Sequence, residues 1–300
     1  MDENYGNFVK INKQRTSYFM PNLLNLLPFL TKLNENLQRV NNRTSKYLKN
    51  PNAKQIHDVR TSIRRLDATF LTLPKKYRNR TSLSEYVSKC KELFKINSEI
   101  RDFDIIHEKL HKYASTAQRD TIIQSLKATR LAKLEQAKTI ARSIKNTDIS
   151  SLIDKIGVTE KELQKKYNKL LSELILKMES TFPIVITSPL ALDELHDLRI
   201  ACKKLRYMLE MLPDKNKNAI QTGKILRRLQ DLLGAIHDFD FTIDYLKSAG
   251  QSSIEIKEII ISENENRKVK FEQFLNYCKR SLHISPNSFL IRIQSLKSLA

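Results

Sequence analysis

The stretch "IHDVRTSIRRLDATFLTLP", Ile56 to Pro74, returns 139 positions later as "LHDLRIACKKLRYMLEMLP", Leu195 to Pro213. In the first copy Ile56, Val59, Ile63, Leu66, Phe70 and Leu73 are spaced by three or four. Leu195, Leu198, Cys202, Leu205, Leu209 and Leu212 repeat that spacing in the second copy. Steps of three and four put each set on one helical face, so both stretches read as helices that bury an apolar seam. Cys202 sits inside its seam as a small core residue.

The repeat extends further. "SEIRDFDIIHEKL", Ser98 to Leu110, is echoed by "GAIHDFDFTIDYL", Gly234 to Leu246, at an offset of 136. Two matches in the same order, at offsets three apart, describe a duplicated unit with one small length change. Composition agrees on its class. With 5 Gly and 8 Pro in 300 residues, and no Pro between Pro74 and Pro183, the chain is poor in residues that break helices and punctuate strands. The expected fold is all-α, two tandem four-helix bundles. The expected boundaries are an N-terminal segment 1–20, a first bundle 21–146, a linker 147–158 and a second bundle 159–300. "TEKE", Thr159 to Glu162, has the Thr and Glu of a capping box and opens the second half. A short C-terminal segment with Phe289, Ile291 and Ile293 is expected to cap the core.

One position beyond each apolar seam runs a basic stripe. His57, Arg60 and Arg64 form it in the first copy, and His196, Arg199, Lys203 and Arg206 in the second. A residue one position later is turned about 100° from the seam, so these side chains project from the shoulder of the helix. His57 and Arg64 then lie roughly 10 Å apart along the axis, which suits an extended ligand charged at intervals. Arginine grips phosphate or carboxylate oxygens in pairs, and lysine adds a point charge. A solvated basic face is the alternative reading of a single such helix; the recurrence of His, Arg and a second basic residue in phase favours a site. Asp102, Asp104, Asp238 and Asp240 of the second motif either orient arginines or are exposed charges.

A formal charge of +20, from 53 basic and 33 acidic residues, repels itself in a folded chain unless an anion is the partner. Nucleic acid, anionic membrane and inorganic polyanion all fit that charge. No helix-turn-helix, zinc-finger or aromatic RNA-binding motif is evident, so nucleic acid is expected to bind only non-specifically. Membrane binding is disfavoured because the basic residues flank a seam needed by the core. Cys90, Cys202 and Cys278 form no C-x-x-C and read as reduced thiols of a cytoplasmic protein. "HEKLH", His107 to His111, matches the H-E-x-x-H zinc pattern, with Glu135 as a third ligand, yet its repeat mates Ile243 and Lys247 bind no metal. No metal, cofactor or catalytic residue is expected.

The pair "HDVRTSIRRL" and "HDLRIACKKLRYMLEML", with "LQDLLGAIHDFD", resembles the CHAD family, the conserved-histidine α-helical domains, from about Leu23 to Leu282. The resemblance implies two four-helix bundles related by approximate twofold symmetry with a basic cleft or pore between them, binding of inorganic polyphosphate, and association with polyphosphate granules. His57, Arg60, Arg64, His196, Arg199, Lys203 and Arg206 become the expected phosphate contacts. Arg65, Lys204, Lys91 and Arg227 follow as second-rank contacts. The first copy departs from the second at Asp67, which stands where the second has Arg206 and is placed to neutralise Arg64. Many relatives are fused to a triphosphate-tunnel domain marked by a Glu-x-Glu-x-Lys strand. Here "ENENR" at Glu263 falls in a helical segment, so a binding protein rather than an enzyme is expected.

Overall fold

A computed structural model of the chain describes residues 26–79, 81–152, 156–212, 217–249, 253–280 and 293–294. Those residues form helices and connections, with no strand among them. The helices are α1 (Leu26–Lys49), α2 (Ala53–Thr72), α3 (Lys75–Arg78), α4 (Thr81–Leu110) and α5 (Ala117–Lys145), then α6 (Glu160–Thr187), α7 (Leu192–Leu209), α8 (Lys217–Ser248) and α9 (Ile254–Arg280). Local sequence explains several ends. Asn52 caps α2 by accepting the Gln55 N–H at 3.0 Å, and Thr116 caps α5 through the Arg119 N–H. Thr159 and Glu162 form the expected capping box of α6. No side chain caps α7, whose first turn carries Asp193 and Glu194 against the helix dipole instead.

Helices pack in chain order. α1 lies on α2 and α5, and α4 on α2 and α5; α6 lies on α7, α7 on α8, and α8 on α9. The halves meet where α2 touches α7 and α6, α4 touches α8, and α5 touches α9. One core runs through both halves, from Phe29 and Leu33 of α1 to Phe271 and Phe274 of α9, and every residue of the two apolar seams is buried. A smaller cluster joins Ile106 and Leu110 of α4 and Ile122 of α5 to Leu246 of α8 and Ile256 of α9.

The stretch expected as a linker is packed. Ile149, Leu152, Ile156 and Val158 are buried in the main core, and the Tyr77 hydroxyl of α3 donates to the Gly157 carbonyl at 2.5 Å. The sequence showed only weak periodicity there, because a connection buried at irregular spacing has no period to read. Ile293 is buried in the same core; Phe289 and Ile291, like segment 1–20, lie outside the described residues. Among the described residues no helix is long and apolar enough to cross a membrane.

Candidate functional site

α2 and α7 approach closely near their C-terminal ends, where Thr72 Oγ1 lies 3.9 Å from Met211 Sδ. Beside that contact a central cavity of about 940 Å³ opens between them. From α2 it takes His57, Arg60 and Arg64, and from α7 His196, Arg199, Lys203 and Lys204. α4 and α8 supply Arg101, Asp102, His237 and Asp238. The seams bury against neighbouring helices, and that rotation turns the next position of each helix toward the gap. The stripes are accordingly half-buried at Arg60, Arg64, Arg199 and Lys203 and exposed at His57 and His196.

The cations here are crowded and poorly compensated. The Nε of Arg60 and the Nε of Arg199 are each buried without a hydrogen-bond partner. Burial, with Arg64 beside it, brings the Arg60 guanidinium down to about 10, and Arg199 is lowered by burial and by Arg64. Lys203 falls to about 6, first through desolvation, then through Arg199, Arg64 and Arg60, with Asp238 opposing. His237 drops to about 3 through burial and the neighbouring Arg199. Burial raises the Asp102 carboxyl to about 6, against the pull of Arg60, and raises Asp238 likewise. His57 and His196 are lowered, by burial first. The Phe94 ring lies under two of these cations, 5.7 Å from Arg60 and 4.9 Å from Arg64. A cavity of this kind favours an anion that brings many acceptor oxygens at once.

The other basic residues singled out in the sequence lie elsewhere. Arg206, Arg65 and Arg227 line a second cavity of about 710 Å³, which shares His57 and Tyr207 with the first. There the Glu210 carboxylate accepts from Arg65 Nε at 2.9 Å and from Arg206 Nη1 at 2.6 Å. Lys91 lines neither cavity; it pairs with Asp67 at 2.9 Å. Asp67 therefore meets Lys91 of α4 rather than Arg64 three positions away on its own helix. The four aspartates divide by position. Asp104 binds Arg130 of α5 at 2.6 Å, and Asp240 binds Arg267 of α9, so this matched pair ties neighbouring helices together. Asp102 and Asp238 face the central cavity.

In "HEKLH" the Nε2 atoms of His107, in the last turn of α4, and of His111, one residue beyond that helix, lie 3.1 Å apart. Glu135 pairs with Lys138 instead, and among the described residues no group of three His, Cys, Asp or Glu could hold a metal ion. Lys109 of that motif ion-pairs with Glu263, the first residue of "ENENR", which is buried within α9. Cys90, Cys202 and Cys278 are free and buried, and burial pushes each thiol up to about 12.

The cavity also holds Arg101, His237 and Phe94, which sequence reasoning missed. Arg101 and His237 stand 136 apart, directly before Asp102 and Asp238 in the second repeated motif. The repeat marked that position, but the two residue types differ, so a comparison of identities passed over it.

Comparison with known proteins agrees with this architecture. The crystal structure of the CHAD domain from the plant Ricinus communis matches with a TM-score of 0.55 at 13% identity, covering 90% of this chain and 91% of that one. At such identity the likeness concerns the fold. No curated protein matches the chain. The family model for the CHAD domain matches residues 31–247, well over half of the sequence and inclusive of both copies of the basic helix. The chain belongs to the CHAD domain family.

Proposed function

We propose that this protein binds inorganic polyphosphate in the central cavity, as a non-enzymatic polyanion receptor of the cytoplasm. The observation that carries the reading is the matched pair of Arg60 and Arg199, each with a buried Nε that has no acceptor. A buried charged donor without a partner is unfavourable, and a phosphate chain supplies acceptors to both helices at once. Membership of the family supports the same ligand class.

The mechanism is electrostatic capture. Rows from α2 and α7 replace counterions along the chain, so affinity falls steeply with salt and rises with chain length until the cavity is filled. Arg60, Arg64 and Arg199 supply forked contacts, while Lys203 gains its proton as the anion arrives. Asp102 and Asp238 limit the repulsion among the arginines when the cavity is empty. A bound fluorescent polyphosphate, displaced by unlabelled polyphosphate or by duplex DNA at equal phosphate concentration, tests the reading. Clearly better displacement by polyphosphate is expected. Equal displacement by both would reduce the charge to a general polyanion surface.

A further inference from the structure

The second cavity breaks the symmetry of the molecule. The two halves can be placed in register by their buried positions. Phe29, Leu33, Leu37, Val40 and Tyr47 of α1 correspond, 138 positions on, to Tyr167, Leu171, Ile175, Met178 and Val185 of α6. Leu83, Cys90, Leu93, Ile100 and Leu110 of α4 correspond, 136 positions on, to Ala219, Leu226, Leu229, Ile236 and Leu246 of α8. With the offset of 139 between α2 and α7, this register says what stands on the far side in place of each residue of the second cavity.

The near side presents Lys32, Arg39 and Arg43 of α1, Arg65 of α2, and Lys224 and Arg227 of α8. Their far-side counterparts are Leu170, Lys177, Thr181, Lys204, Ser88 and Lys91. Two of those remaining cations are engaged, Lys177 with Asp197 at 2.5 Å and Lys91 with Asp67 at 2.9 Å. On the near side Lys32, Arg43 and Arg65 pair with Glu35, Asp58 and Glu210, while Arg39, Lys224 and Arg227 line the cavity and take part in no ion pair among the described residues. On the far side, moreover, Leu170, Leu174, Ile200 and Leu71 give the wall of the central cavity an apolar stretch, with Glu173, Lys204 and Asp67 beside it. Lys32, Asn36, Thr61 and Glu210 hold the matching near-side places.

We propose that a long polyphosphate chain leaves the central cavity on one side only, passing His57 and Tyr207 into the second cavity, where Arg39, Lys224 and Arg227 hold its continuation. The proposal rests on the polyphosphate reading of the central cavity. Phosphate laid against the apolar far-side stretch loses hydration and meets Lys204 together with the carboxylates of Glu173 and Asp67, whereas Arg39, Lys224 and Arg227 each release a counterion on the near side. The threshold is built to stay in place. Arg65 and Arg206 lie over the Tyr207 ring, at 5.8 and 4.3 Å, and both are fixed by Glu210. A short chain fills the central cavity alone, so the second cavity sets the preference for long chains.

Repeat-equivalent variants test this in the full chain, titrated with tripolyphosphate and with long-chain polyphosphate. R39Q/R227Q removes two near-side charges, and K177Q/K91Q removes their two counterparts. The near-side pair is expected to weaken long-chain binding about tenfold while changing tripolyphosphate by about twofold at most; the far-side pair changes neither by more than about twofold. Equal losses from the two pairs overturn the one-sided path, as does unchanged long-chain binding in R39Q/R227Q. If R39Q/R227Q does not fold, the exposed Lys224→Gln decides, with a selective loss of long-chain affinity supporting the path and no change overturning it. Wild-type protein that binds neither chain overturns the reading of the central cavity itself, and the path with it.

Discussion

Arg60 and Arg199 occupy matching positions on two copies of one helix, 139 residues apart, and each holds a buried Nε with no acceptor. A core built for stability alone would satisfy both groups or replace them with apolar side chains. Leaving a buried donor unpaired costs about 1–3 kcal/mol, and more when it is charged. Both copies bear that cost at the same place, which is the expected signature of a site completed by its ligand.

The empty cavity should accordingly be a weak point of the fold. Replacing Lys203 with Met removes a desolvated amine whose charged form is disfavoured by burial and by Arg199, Arg64 and Arg60. Without ligand, the variant is expected to gain about 1 kcal/mol in chemical denaturation, while its polyphosphate affinity falls. A loss of stability together with unchanged binding would make Lys203 a structural residue.

The same lysine sets a pH dependence. Its folded value of about 6 lies below the ordinary 10.5, so between those two the unfolded chain binds more protons. Unliganded stability therefore rises with pH across that window, by a slope that Lys203→Met removes. Polyanion binding restores the proton, so association at pH 8 takes up protons from the buffer and weakens as pH rises. Calorimetry in buffers of different ionisation heat reads the uptake directly, and wild type and Lys203→Met should differ.

The matched pairs Asp104–Arg130 and Asp240–Arg267 make a comparison within one molecule. Arg267 has a side-chain exposure of 9% against 27% for Arg130. Asp240→Ala strands the better buried arginine and should cost about 3 kcal/mol, the low end for a broken buried pair. Asp104→Ala should cost about 1 kcal/mol, nearer a surface pair. Urea denaturation of the two variants checks the order.

Thr159 contributes locally. Its side chain accepts the Glu162 N–H at 3.3 Å, and Glu162 returns a bond to the Thr159 N–H at 3.2 Å. Thr159→Ala should destabilise the chain by about 1 kcal/mol, with polyphosphate binding unchanged. A binding defect would show that α6 positions the cavity more directly than its contacts indicate.

Much of this molecule was legible in the sequence, unevenly and for physical reasons. The α2 and α7 copies kept their identities because two demands, burial and charge, act on adjacent positions. α1 and α6 share only buried positions, such as Leu37 and Ile175 or Tyr47 and Val185, where apolar residues exchange freely and letters seldom repeat. The stripe was readable as far as Lys203. One turn on, Arg206 points to the other cavity, because a straight stripe drifts around a helix of 3.6 residues per turn. The second cavity left no trace in the repeat. Lys32 and Arg39 meet Lys224 and Arg227 only when α1 of one half comes beside α8 of the other, and Lys32 has Leu170 as its mate.

The most direct measurement is calorimetric titration of wild type and R60Q/R199Q with long-chain polyphosphate at physiological salt, each checked for fold by circular dichroism. The account predicts saturable binding by wild type and a loss of about a hundredfold in the folded variant, from two charge-assisted contacts. A folded R60Q/R199Q protein that binds polyphosphate as wild type does would contradict it.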